Sequence, residues 1–140
     1  MNNPSEAQFT GGCLCGQIRY ALQGPLADIQ LCHCSQCRKA QGSAFAASIP
    51  AQASQLRFTA GADALVSYES SPGKTRIFCG RCGSPLFSQT TNLPGVVRLR
   101  VGSLDEPHGA KLGAHIFADS HADWWSINDT LPRYAGRVPA

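Results

Sequence analysis

The sequence predicts a mainly β domain of antiparallel strands with short helical pieces, stabilised by metal. Three observations lead to it. Short runs alternate apolar and polar residues with the period of a half-buried strand. Gly 14 and Pro 9 in 140 residues break the chain into short elements. Seven cysteines gather in groups whose spacing suits metal ions.

Residues 17–22 place Ile18, Tyr20 and Leu22 on one face. Residues 55–59 do the same with Leu56 and Phe58, residues 65–70 with Val66 and Tyr68, and residues 75–79 with Ile77. Residues 96–101 alternate Val97, Leu99 and Val101 against Arg98 and Arg100. Gly24-Pro25, Ala60-Gly61 and Ser71-Pro72-Gly73 supply turns. Helical signal is confined to residues 35–41, with Ser35 as the expected N-cap. Residues 119–129 fit neither period. A chain of 140 residues can bury a core of its own. One domain is expected over residues 9–135, between a flexible lead-in at 1–8 and a tail at 136–140.

A hydrophobic fraction of 43% and a charged fraction of 15% exclude a disordered chain and a coiled coil. No apolar run is long enough to span a bilayer. The start, Met1-Asn2-Asn3-Pro4-Ser5-Glu6, has neither a basic nor an apolar region of a secretory signal, so a reducing, cytoplasmic setting is expected. The formal charge of +3 is a weak pointer to anionic partners. An odd cysteine count cannot be used up in disulfides.

The cysteines form Cys13-x-Cys15, Cys32-x-Cys34-x-x-Cys37 and Cys79-x-x-Cys82. Phe78-Cys79-Gly80-Arg81-Cys82-Gly83 is a zinc-knuckle signature. Two residues between thiolates let both sulfurs face one ion, and the glycines permit the turn and free N–H groups to point at sulfur. A knuckle gives two ligands and a structural zinc takes four, so Cys13 and Cys15 can complete it across the fold. Cys32, Cys34 and Cys37 can then reach a second ion from one loop, with a fourth position open as in a catalytic zinc. Spacing also permits Cys34 and Cys37 to join Cys79 and Cys82, leaving Cys13, Cys15 and Cys32. Further rivals are buried free thiols, a redox Cys-x-x-Cys lacking its βαβ context, and two structural zincs with a histidine completing the second.

Gly11-Gly12-Cys13-Leu14-Cys15-Gly16, Cys32-His33-Cys34-Ser35-Gln36-Cys37-Arg38-Lys39, and Ser71-Pro72-Gly73 leading to Arg76-x-Phe78-Cys79-x-x-Cys82-Gly83-Ser84 closely resemble the glutathione-dependent formaldehyde-activating enzyme family, whose domain centromere protein V also carries. Gly102-Ser103-Leu104-Asp105, His115-Ile116-Phe117 and Leu131-Pro132-Arg133-Tyr134 extend the resemblance over about residues 9–135. It implies a β-tent fold, a structural zinc on Cys13, Cys15, Cys79 and Cys82, and a more labile, catalytic zinc on Cys32, Cys34 and Cys37. It also implies condensation of formaldehyde with glutathione to S-hydroxymethylglutathione, classed as a carbon–sulfur lyase activity. One departure is Asp123 before Trp124-Trp125, where family members often have a proline before a single tryptophan.

The expected chemistry is a substrate thiol or water at the open position of the second of two Zn2+, with a thiol or aldehyde adduct as small-molecule substrate. Glutathione carries two carboxylates, so cationic partners are needed. Arg38, Lys39 and Arg81 are candidates by proximity to the cysteines, and Trp124 as a cavity wall. His33 is expected to point away from the metal, His115 to bond within the sheet, His108 to be exposed, and His121 to lie on the surface or act as an acid. The alternative is a protein-interaction or nucleic-acid-associated zinc module without catalysis. Two arginines on one strand make a poor nucleic-acid footprint, and such modules do not need the triplet.

Overall fold

The computed structural model describes residues 7–139; residues 1–6 of the expected lead-in and Ala140 of the tail lie outside them. The strands are β1 (Gln8–Gly12), β2 (Arg19–Gln23), β3 (Ile29–Cys32), β4 (Ala46–Gln52), β5 (Leu56–Ala60), β6 (Leu65–Ser71), β7 (Lys74–Cys79), β8 (Pro85–Thr90), β9 (Val96–Arg100) and β10 (Leu112–Ile116), with helix α1 at Ser35–Gln41. They form a three-stranded sheet, β1-β2-β5, and a seven-stranded sheet, β10-β3-β4-β9-β8-β7-β6. Pairing is antiparallel except between β10 and β3, which run parallel. The mainly β expectation holds, and no helix among the described residues is long and apolar enough to cross a membrane.

The alternating runs became β2, β5, β6, β7 and β9. Ile18, just before β2, and Tyr20 and Leu22 of the small sheet meet Leu31, Ile49, Val97 and Leu99 of the large one in a single core. Phe58 bridges the two, edge-on to Tyr20 at 6.2 Å and tilted against Phe87 at 6.0 Å. Leu99 is fully buried. Leu99→Ala is therefore expected to cost about 3 kcal/mol of unfolding free energy by urea titration, through lost burial and the cavity left behind.

Two local expectations are corrected. Val66 and Tyr68 do not face the core; they are 42% and 64% exposed on β6, the edge strand of the large sheet. Ser35 is not the N-cap of α1: Cys34 is, and its thiol accepts the Cys37 N–H at 3.3 Å. The Cys34 sulfur, three residues before Cys37 on an extended backbone, reaches that free N–H of the first turn, whereas Ser35 already lies within the helix.

Register gives the large sheet two unlike faces. Ile49 and Phe87 pair with Leu99 on the core face. On the other face Gln30 pairs with Ser48, and Ser48 with Arg100; one step along β9, Arg98 pairs with Ser88, and Ser88 with Arg76. A polar row thus crosses five strands, from β3 to β7.

Candidate metal centres

The Cys13, Cys15, Cys79 and Cys82 sulfurs lie within 4.8 Å of one another, and so do those of Cys32, Cys34 and Cys37. Among the described residues no histidine or carboxylate joins either group.

The four-cysteine group sits where the two sheets meet. Cys13 and Cys15 follow β1 of the small sheet, and Cys79 ends β7 of the large one. Two similar turns present the sulfurs. Gly16, at φ 80°, donates to the Cys13 carbonyl, and Gly83, at φ 79°, to the Cys79 carbonyl. Both conformations are left-handed, where a side chain would be strained. The turns aim backbone N–H groups at sulfur: Ile18 at Cys13 (3.3 Å), Cys15 at Cys82 (3.5 Å), and Arg81 and Cys82 at Cys79 (both 3.4 Å). The hydrogen bond with the Ser84 hydroxyl pulls the Cys82 thiol down to about 5. Tetrahedral zinc–thiolate bonds of about 2.3 Å set sulfur–sulfur edges at about 3.8 Å. The Cys13–Cys15 and Cys15–Cys79 edges are 3.5 and 3.9 Å, so the donor set fits zinc.

The three-cysteine group spans the end of β3 and the first turn of α1. Cys32 and Cys34 are partly buried and Cys37 is buried. Contacts with Cys34 and Cys37, and burial, push the Cys32 thiol up. Hydrogen bonds from Cys32 and Cys34, with help from Lys74 and Arg76, pull the Cys37 thiol down. Arg76 also reaches Cys37 Sγ at 3.8 Å. Soft thiolates gathered on one loop suit zinc as a donor set.

This loop opens on a cavity of about 290 Å³, floored by the polar row. Gln30, Ser48, Ser88, Arg98 and Arg100 line it, as do Lys74 and Arg137, and no Asp or Glu does. Burial works against the charge on Lys74, Arg98 and Arg100, while the cysteine cluster favours it. Arg98 Nε, Arg100 Nε and the Ser88 hydroxyl are buried without a hydrogen-bond partner. Arg137 arrives from the segment expected to be tail. It stands over the Phe117 ring at 5.9 Å, and Gly136 accepts the Phe117 N–H. Phe117 holds a left-handed φ of 51°, a conformation that costs about 1–3 kcal/mol and persists only under such constraint.

The substrate contacts expected from proximity lie elsewhere. Arg38 bonds the His33 carbonyl, Arg81 bonds Gln17 beside the four-cysteine group, and Lys39 is exposed in the last turn of α1. Trp124 is 67% exposed, and Trp125 packs edge-on to Phe45 at 5.9 Å, so neither tryptophan is core and neither lines the cavity. His33 and His115 are buried and bonded to each other; His121 is exposed and His108 accepts the Ala110 N–H. The signal for this lining was the β9 alternation, whose arginine face was weighed only as a nucleic-acid footprint.

The family model for the glutathione-dependent formaldehyde-activating enzyme matches residues 8–120. The chain belongs to this family. Two fungal relatives, from Aspergillus flavus and Aspergillus oryzae, are provisionally named glutathione-dependent formaldehyde-activating enzymes. Each is 33% identical over 89 residues, which is 60% of this chain and 47% of the relative, so the chain spans about half the length of these curated relatives. The crystal structure of a Rhodobacter sphaeroides protein is similar over 71% of this chain and 91% of its own, with a TM-score of 0.61 and 27% identity. All seven cysteines, Lys74, Arg98 and Arg100 fall within the stretch matched by the family; Asp129 and Arg137 lie beyond it.

Proposed function

We propose that the chain is a zinc-dependent carbon–sulfur lyase acting on the adduct of a carboxylate-bearing thiol, glutathione or a relative of it, with formaldehyde or a related small aldehyde. The observation that carries this reading is the cavity: a three-thiolate loop opening onto four cationic side chains, Lys74, Arg98, Arg100 and Arg137, with no acid among them. Three thiolates and one divalent ion leave a net −1. The surplus positive charge in a partly buried cavity fits a ligand with two or more carboxylates. Cys13, Cys15, Cys79 and Cys82 would hold a structural zinc, and Cys32, Cys34 and Cys37 a second one.

When bound there, zinc supplies a site at which a thiol or water is held deprotonated at neutral pH. The chain's own groups do the rest. Arg98 and Arg100 hold carboxylates from the rigid floor, Lys74 and Arg137 from the sides, and Ser88 offers an unpartnered hydroxyl. Arg76 stabilises the Cys37 thiolate. In the lyase direction the carbon–sulfur bond of the S-hydroxymethyl adduct breaks, the hydroxyl oxygen becomes the aldehyde carbonyl, and its proton passes to the departing sulfur. The cations occupy a concavity rather than an outer stripe, which favours a small molecule over a nucleic acid.

Calorimetry of the zinc-loaded protein with reduced glutathione is the test. Binding is expected, and Arg100→Gln should weaken it about tenfold or more, as for loss of one charge-assisted hydrogen bond. Absence of binding by fully loaded protein would overturn glutathione as the thiol.

A further inference from the structure

His33 lies between two of the clustered cysteines yet turns its ring the other way, into the protein. Its Nε2 is 2.7 Å from His115 Nδ1, and His115 Nε2 is 2.9 Å from Asp129 Oδ2. Both rings are buried, at 0% and 2% exposure, and Phe45 packs edge-on against His33 at 5.7 Å. Asp129 is held ready to accept. Its Oδ1 takes the Leu131 N–H at 3.0 Å, and Arg133 Nη2 donates to the Ile127 and Asp129 carbonyls.

The order of this chain follows from donor and acceptor chemistry. A carboxylate only accepts, so His115 donates from Nε2. With both rings neutral, His115 Nδ1 must accept, and the proton between the rings belongs to His33 Nε2. The His33 Nδ1 atom is left buried without a partner, so a flipped ring would break the one hydrogen bond the imidazole has. The ring is therefore fixed in orientation. Arg38 Nε adds a bond of 3.1 Å to the His33 carbonyl on the main-chain side.

We propose that Asp129 is a positioning residue for the three-cysteine loop: acting through His115, it locks the His33 ring and so the peptide that carries Cys32 and Cys34. The proposal rests on this loop holding a metal, as argued above. It gives a segment beyond the family-matched stretch a part in the site. Asp129 is 42% exposed, so replacing it opens no hole in the core.

Zinc transfer from the loaded protein to a chromophoric chelator tests the proposal. The unaltered protein should release zinc in a fast phase from the three-cysteine loop and a slow phase from the four-cysteine group. Asp129→Ala should speed the fast phase about tenfold, as expected when the partner that orients a ligating group is lost, and leave the slow phase alone. Asp129→Asn, which keeps an acceptor for the His115 N–H, should hold the original rate. Nitrogen-15 spectra of the rings should show His33 protonated at Nε2 in the unaltered protein and not in Asp129→Ala. An unchanged fast phase in Asp129→Ala, or an equal acceleration in Arg133→Ala, which loosens the loop but spares the histidine chain, would overturn the positioning role. A single release phase from the unaltered protein would instead overturn the metal reading itself.

Discussion

Cys79→Ser is expected to leave a chain with no cooperative unfolding transition and with zinc at neither centre. Cys79 is fully buried, and its sulfur takes two backbone N–H groups, from Arg81 and Cys82. It belongs to the group that joins the end of β1 to the end of β7, so the proposed structural zinc would tie the two sheets together at that corner, beside the Leu14–Ser84 and Gln17–Arg81 hydrogen bonds. Structural zinc sites contribute an apparent 10–16 kcal/mol or so. The whole net stability of a domain is about 5–15 kcal/mol. Losing one thiolate from the closed site therefore removes as much free energy as the fold has to spare. Thermal melts by circular dichroism and zinc analysis by mass spectrometry check it. A normal melt with half the zinc retained would show that this group is not the structural one.

The opposite outcome is expected for Cys34→Ser: an intact fold, about one zinc per chain in place of two, and activity reduced at least about 100-fold. The helix should survive because serine is itself a favoured N-cap and its hydroxyl can accept the Cys37 N–H that the Cys34 sulfur now takes. The hard oxygen is a poor substitute as a zinc ligand, so the loop loses its grip on the ion while α1 keeps its start. Zinc content, the melting temperature and glutathione turnover, measured on one preparation, decide it. If Cys34→Ser and Cys79→Ser behave alike, the division into a structural and a catalytic centre is wrong.

How far the sequence could be read depended on how local each constraint is. The cysteine groups were legible because coordination fixes both residue type and short spacing. β2 and β9 were legible because one face is apolar and alternates. β1 was hidden by Gly11 and Gly12, and β10 by Gly113. β4 was hidden by its small residues and by Pro50, which pairs opposite Arg98 inside the sheet, a place proline rarely takes. The cationic cavity was not legible. It is assembled from β7, β9 and the C-terminal segment, and only strand order and register bring Lys74, Arg98, Arg100 and Arg137 to one face. The Asp129–His115–His33 chain was hidden for the same reason, since 96 positions separate its ends.

The polar row across β3, β4, β9, β8 and β7 has a consequence for how such a protein can change over time. On β3, β4 and β9, residues of the core alternate with Gln30, Ser48, Arg98 and Arg100 on the cavity face. A substitution at Ser48, Ser88 or Arg98 alters what the cavity welcomes while leaving Ile49, Phe87 and Leu99 in place. Selection for a new small molecule and selection for a persistent fold therefore act on interleaved but separate sets of positions. Single substitutions on the cavity face can therefore change the ligand without touching the apolar residues that form the core.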